Sequence, residues 1–454
     1  MTSIKKLAIR GTIWTLISYG LGNFLRLFSN LLLTRMLFPE AFGLMALVTT
    51  VLVGLHLFSD IGFGPNIIQN KRGDDPNFLN TAWTLQIIRS SIIWVATVVL
   101  AVPAAHFYNQ PALVGLFPVV GLTTLIDGFQ STSVYTLSRH LNVRTLQLLG
   151  LTQQVISITV MLLWARVNPS VWAIAAGSIA GSLFRLTWSH LILPDSKNRL
   201  RWEPEAVREL ISFGKWIFFS TAATFLALQA DRLILGKLIP LEVLGTYSIA
   251  LGLAELPKNL ISNLSSNVVL PAISKMTDRP RPELRQSILK HRQLILLGAA
   301  VMVALLASFG DVVVRVLYDN RYAQGAWILP LLAFGLWPNI LHESIRQALI
   351  AVGQPKYEAT GQFLKCITVS VGIPIGFYLG ERLGVGGLLG AVLVVVINDL
   401  PLYGPVSYGL RNEGLSVVRQ DLLISGLFVA LIGVIVSVRW LLGFGFPLSM
   451  LFQS

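Results

Sequence analysis

Apolar residues in this chain come in continuous runs separated by short polar stretches, from about residue 11 to about residue 442. Strands of a membrane barrel would show roughly 10-residue segments of alternating character, which is not the pattern here. Runs of about 20 apolar residues are long enough to cross roughly 30 Å of hydrocarbon as helices. Helices and closed barrels are the structures that span lipid, because each satisfies its own backbone polar groups. The pattern predicts an all-α polytopic membrane protein with thirteen spans: 11–34, 42–60, 81–104, 113–136, 146–165, 170–192, 213–236, 244–270, 293–314, 327–350, 359–380, 385–408 and 421–442. The tail GFGFPLSMLFQS is apolar but too short to cross, and is read as a surface segment or the start of a fourteenth span. The N-terminus, MTSIKKLAIRGTIWTLISYG, has the basic start of a signal peptide, yet its apolar run continues past residue 33 and reads as an uncleaved first span.

Composition supports this reading. Charged residues make up 13% of the 454 and hydrophobic ones 54%, against about 25% charged in a soluble domain. Mean hydropathy is +0.68. With the N-terminus inside, Lys and Arg in loops favour the cytoplasmic side by roughly three to one, which sets the orientation. Most of the net charge of +13 then faces the anionic inner leaflet, and no nucleic acid is needed to account for it. Cys366 is the single cysteine, so an intrachain disulfide and a cysteine-based metal site are both excluded. The outer loops are too short to form a domain. The longer inner loops are 61–80, 193–212 and 271–292, and the middle one continues into RWEPEAVRELISFG, an amphipathic connector expected to lie on the membrane surface.

The chain also echoes itself. TRMLFPEAFG (34–43) matches GKLIPLEVLG (236–245) at an offset of 202, carrying Arg35 onto Lys237, Glu40 onto Glu242 and Gly43 onto Gly245. FPVVGLTTLIDG (117–128) matches LPLLAFGLWPNI (329–340) at an offset of 212. The repeat unit is six spans, an even number, so the halves run parallel about an axis along the membrane normal, as in alternating-access transporters. The expected organisation is a six-helix bundle at 1–200, a connector at 201–212, a second six-helix bundle at 213–410, and an additional span with a short tail at 411–454.

Motifs for soluble chemistry are lacking. There is no phosphate-binding loop of the G-x-x-x-x-G-K-[ST] type. GVGGLLG (384–390) and GSIAG (177–181) read as close helix contacts rather than nucleotide loops. HES (342–344) lacks the second histidine of a zinc-protease helix. What remains is a set of ionisable groups inside spans, which by default face a bundle interior or a water-filled cavity. Arg26, Arg89 and Arg185 have no acidic partner on their own helix, and with Lys258 they are the candidates for a substrate cavity. Asp127, Asp231, Arg232, Glu255 and Asp399 are candidates for gating or ion coupling. Glu255–Lys258 and Glu343–Arg346 are spaced to neutralise each other along a helix. Lys365 is close enough to the inner face to reach water, and Asp60 and His342 stand near inner ends. Arginine suits bidentate contact with phosphate, so the cavity is expected to take an anionic, phosphate-bearing substrate. In LALQADRLILGK (226–237), the adjacent Asp231 and Arg232 point about 100° apart and do not pair with each other. They are expected to take a gate or inter-helix role near the outer mouth, one facing the cavity while the other contacts a neighbouring helix, or with Arg232 reaching outward to the interface.

Several stretches resemble a known family. LLTRMLFPEAFGLMAL with FSDIGFGPNIIQ, DRLILGKLIPLEVLGTYSIALGLAELP with VVLPAISK, LYDNRYAQGAWILPLLAFG and ALIAVGQPKYE are similar to Wzx-type polysaccharide exporters. The likeness is to the lipopolysaccharide and colanic-acid exporter branch of the multidrug/oligosaccharidyl-lipid/polysaccharide (MOP) superfamily. It implies a MOP/MATE-like fold and a bacterial inner-membrane flippase, not an enzyme. The implied substrate is an oligosaccharide on undecaprenyl diphosphate, moved to the periplasmic leaflet for surface polysaccharide synthesis. Implied partners are membrane lipids, a polysaccharide polymerase and a chain-length regulator. No cofactor is implied beyond coupling to an H+ or Na+ gradient. The family has an even number of spans, so thirteen is a departure that leaves the tail open. The alternatives are a cation-coupled drug antiporter, a lipid II flippase and a membrane-embedded glycan polymerase, the last disfavoured by the short outer loops.

Overall fold

The computed structural model describes residues 2–59, 62–140, 142–192, 198–269, 273, 276 and 279–449. Asp60 and the last residues of the tail lie outside the described set. The chain divides into two compact units, Met1–Ala222 and Ala223–Ser454. No strand occurs among the described residues.

The first unit holds α1 (Thr2–Met36), α2 (Pro39–Phe58), α3 (Phe63–Gln69), α4 (Pro76–Tyr108), α5 (Leu113–Gly128), α6 (Ser133–Arg139), α7 (Val143–Val167) and α8 (Val171–Leu191). It ends within α9 (Pro204–Leu238). α1 packs on α7, α7 on α8, α8 on α5 and α5 on α4, while α2 touches α4, α5 and α8. α5 and α6 form a pair bent by 59°. GSIAG behaves as expected: a Cβ on Gly177 would meet the Ser157 carbonyl oxygen of α7 at 2.6 Å, so only glycine permits this approach.

The second unit holds the rest of α9, then α10 (Leu241–Ala254), α11 (Leu256–Leu264), a π-helical turn at Ser265–Val269, and α12 (Arg281–Leu317). There follow α13 (Gly325–Gly335), α14 (Trp337–Ala351), α15 (Lys356–Arg382), α16 (Gly387–Ile397), α17 (Leu400–Asn412) and α18 (Val418–Leu441). GVGGLLG turns out to be a helix contact: a Cβ on Gly390 of α16 would fall on the Gly376 carbonyl oxygen of α15.

α1 and α9 are each 35 residues long and start 202 positions apart, the offset read from the sequence echo. Among the described residues, eight helices are long and apolar enough to cross a membrane, nine if α5 and α6 form one span. Of the thirteen expected spans, 11–34, 170–192, 213–236 and 244–270 fall on helices outside that set. These segments carry Arg26, Arg185, Asp231, Glu255 and Lys258, whose polarity lowers their hydropathy.

The connector differs from expectation. It is not a separate surface helix, because α9 runs unbroken from Pro204 into the next span. Ala206 and Leu210 are fully buried against Phe63, Ile67, Phe78, Ala82 and Leu85, so the apolar face is covered by protein rather than lipid. Arg72 fastens this end, bonding Asp75 and Glu203 at 2.7 Å each.

α18 is no loose addition. It lies parallel to α12 and is joined to it by a buried ion pair near each end. Arg292 meets Asp421 at 2.5 Å. Arg439 grips Asp311 with both Nη atoms, at 2.5 and 2.6 Å. Arg439 also donates to the carbonyls of Ser308, Phe444 and Gly445, which ties the start of the tail to the helix end.

Candidate functional site

In the first unit, two cavities meet along α7. One, of about 610 Å³, lies at the α3–α6 end and is lined by Ile68, Tyr135, Ser138, Leu146 and Arg185, among others. The other, of about 550 Å³, lies between α1, α2, α7 and α8 and includes Arg26, Asn30, Thr49, Ser157 and Ser178. Gly150 and Gln153 line both. From Leu146 to Met161 the joint lining covers about 22 Å of α7 at 1.5 Å per residue, most of the roughly 30 Å hydrocarbon. Neither lining contains a carboxylate.

The position of Arg26 follows from helix geometry. Ile17, Leu21, Phe24 and Phe28 form an exposed apolar stripe on α1. Residue 26 is about 200° from residue 24, on the opposite face. Asn30 and Leu33 share that face and the cavity. Arg185 lies about two turns further along α8 than Ser178, and Asp127 is its electrostatic neighbour. Asp127 accepts hydrogen bonds from Gln130, at 2.5 Å, and from Ser182. It sits behind the cavity wall rather than in the lining.

Arg89, expected to line a cavity, is engaged elsewhere. Its guanidinium donates to the His56 carbonyl at 2.8 Å and to Ser59 Oγ at 3.1 Å. The last carbonyls of α2 have no partner within the helix, and Arg89 supplies a donor there.

The second unit brings most of the remaining candidates together. Asp231, Glu255, Lys258, Lys365, Asn398 and Asp399 surround a cavity of about 50 Å³. Three helix breaks meet around it, each with a proline in the first turn of the following helix: Pro257 of α11, Pro338 of α14 and Pro401 of α17. Proline lacks the N–H and fixes φ, so it suits a first turn and interrupts a helix interior. Glu255 and Asp399 occupy the cap positions at two of these breaks. Lys258 bonds Glu255 at 3.1 Å, the spacing expected along the helix. Glu343 and Arg346 also lie within ion-pair distance, at 3.1 Å.

Lys365 departs from expectation. It is 5% exposed and meets Asp399, also 5% exposed, at 2.6 Å, so it does not reach water. A buried partner outcompetes the path to the surface. Asp231 and Arg232 point apart as anticipated, but among the described residues Arg232 bonds within its own helix α9 and not to a neighbouring one. Asp231 faces the cavity and accepts a hydrogen bond from Tyr247 at 2.7 Å, while Arg232 turns to Gln229 at 2.5 Å.

Sequence reasoning missed Tyr247, Asn339, and the Asp311–Arg439 and Arg292–Asp421 pairs. The breaks themselves had a signal: Glu255-Leu256-Pro257 and Asp399-Leu400-Pro401 repeat an acid two residues before a proline.

Residues 32–326 match the family described as polysaccharide biosynthesis protein. The chain is 24% identical over 360 residues to teichuronic acid biosynthesis protein TuaB of Bacillus subtilis (strain 168), covering 78% of this chain and 73% of that one. It is 21% identical over 408 residues to lipopolysaccharide biosynthesis protein WzxC of Escherichia coli (strain K12), covering 88% and 81%. Among solved structures, the inward-facing conformation of a multidrug resistance MATE family transporter of the MOP superfamily aligns with a TM-score of 0.64 at 14% identity, covering 87% of this chain and 95% of that one. At that identity the likeness speaks for the fold, and it agrees with the MOP/MATE-like fold expected.

Proposed function

Because the chain belongs to the polysaccharide biosynthesis protein family, we propose that it is a flippase for undecaprenyl-diphosphate-linked oligosaccharide. In this reading it lies in the bacterial inner membrane with its N-terminus in the cytoplasm. It moves the substrate to the periplasmic leaflet by alternating access, to supply a polysaccharide polymerase and a chain-length regulator. The observation that carries the reading is the charge of the first-unit cavities, which present Arg26 and Arg185 with no carboxylate in the lining. An arginine in each cavity suits a diphosphate passing from one to the other, since its oxygens accept bidentate hydrogen bonds. The polyprenyl tail stays in lipid while the head group crosses.

A cation-coupled drug antiporter would favour an acidic cavity, whereas the first-unit linings carry arginine and no carboxylate. In the second unit Glu255 and Asp399 are each bonded to a lysine. The reading includes coupling to an H+ or Na+ gradient through the second-unit cluster. Asp231 Oδ1 supports that part, being buried without a hydrogen-bond partner among the described residues.

The test is gene deletion with complementation, measuring lipid-linked oligosaccharide that reaches the periplasmic leaflet. Deletion should abolish arrival and the wild-type gene restore it. An Arg26→Gln/Arg185→Gln variant, present at equal level, should restore less than a tenth. Normal arrival in the deleted strain, with no second exporter present, would contradict the proposal.

A further inference from the structure

Polar side chains in the first unit divide into those already engaged and those still free. Arg89 is bonded to the end of α2. Arg139 reaches Asp74 and the carbonyls of Ile67, Ile68 and Asn70. Gln154 donates to the Gly22 carbonyl at 2.8 Å, joining α7 to α1. Gln153, its neighbour, points about 100° away, lays its stem over Gly181 of α8, and lines both cavities. No side-chain hydrogen bond is made by Gln153 or Asn30 among the described residues, although both are in the lining.

A primary amide offers two donors and two acceptor lone pairs, and a sugar hydroxyl is donor and acceptor at once. Free amides flanked by Ser157, Ser178 and Thr49, with the rings of Phe42 and Tyr135 in the walls, match the two faces of a sugar ring: polar at the edge, apolar across it. Gln153 and Asn30 are half-buried in the lining with their amides uncommitted, so a ligand that supplies hydroxyls finds donors and acceptors ready.

We propose that α1, α7 and α8 form a sugar-reading track, with Gln153 and Asn30 hydrogen-bonding neutral sugar hydroxyls and Gly150 keeping the passage between the two cavities open. This rests on the flippase reading and adds a division of labour to it. The arginines hold the anionic head, while the amides select the glycan attached to it. Gly150 lines both cavities. A Cβ there would meet nothing within 4 Å, so a large side chain at this position enters free space rather than the packed helix.

The test uses purified full-length protein in proteoliposomes. One probe is the lipid-linked repeat unit extracted from the cells that make the protein, and the other is undecaprenyl diphosphate carrying a single sugar. The readout is the ratio of their translocation rates. Gly150→Phe should lower the ratio of repeat unit to single sugar about tenfold, or 1.4 kcal/mol in selectivity. Gln153→Leu, close in size and without the amide, should lower it about fivefold, the effect of one lost neutral hydrogen bond. If the wild type moves both lipids and neither variant changes the ratio, the track is overturned and the flippase reading stands. If the wild type moves neither lipid, the flippase reading falls and the track falls with it.

Discussion

Lys365→Met removes one half of the most enclosed ion pair in the second-unit cluster. Lys365 and Asp399 are 2.6 Å apart and both nearly inaccessible. Breaking such a pair from one side costs about 3–5 kcal/mol, because the remaining charge stays buried without its counterion. Lys258 also acts on Asp399, and Asn339 donates a hydrogen bond to it, so the lower figure, about 3 kcal/mol, is expected. For a unit of this size that is a fall in melting temperature of about 6–12 °C. Asp399→Leu, which leaves Lys365 unpaired instead, should cost a similar amount. The double variant removes both charges together and should be more stable than either single one, with a coupling of about 2 kcal/mol. The assay is thermal unfolding of the four proteins in nanodiscs, taken as a double-mutant cycle. Additive losses, or single variants within about 0.5 kcal/mol of wild type, would refute the claim that this contact organises the cluster.

Three further outcomes follow from the geometry. Arg439→Met should cost about 3–5 kcal/mol and make residues 443–449 susceptible to limited proteolysis, since Asp311 loses its buried partner; Arg439→Lys should fail to rescue, lacking the planar fork. Gly390→Val should lower stability by about 1–3 kcal/mol by forcing α15 and α16 apart, whereas Gly433→Val, where a Cβ meets nothing within 4 Å, should stay within about 0.5 kcal/mol; melting temperatures compare the two. Asp75 caps α4, and its carboxyl is held below the usual aspartate value, first by the hydrogen bond from Arg72 and then by the Asn77 N–H. A depressed value means stabilisation that is present above the unfolded-state pKa and lost as pH falls through the folded-state one. Asp75→Ala should therefore cost about 0.5–2 kcal/mol at neutral pH, and the gap from wild type in thermal unfolding should close in acid.

Helices were legible because lipid leaves few backbone options, so long apolar runs, the 202-residue offset and the glycine contacts all matched the structure. The polar interior was legible only in part. Asp231 and Arg232 could be separated by helical geometry alone, and the Glu255–Lys258 contact is local. Arg89 and Lys365 could not be placed, because what each does depends on a partner from another helix: the end of α2 for one and Asp399 for the other. For the same reason Arg439 was not among the candidates. It sits at a helix end, where a sequence suggests water, yet the tail folds back over it. The connector failed on a related point, since an amphipathic face does not say whether lipid or protein covers it, and here α3 and α4 do.

The central claim is movement of a diphosphate-linked glycan through the two first-unit cavities, one lined by Arg26 and the other by Arg185. Purified protein in proteoliposomes containing fluorescent undecaprenyl-diphosphate-linked oligosaccharide tests it directly, with a membrane-impermeant quencher reporting which leaflet the lipid occupies. The account predicts transfer between leaflets that depends on the protein and falls at least tenfold in Arg26→Gln/Arg185→Gln with the fold intact. Transfer no faster than in empty liposomes, or equal transfer by the double variant, would contradict it.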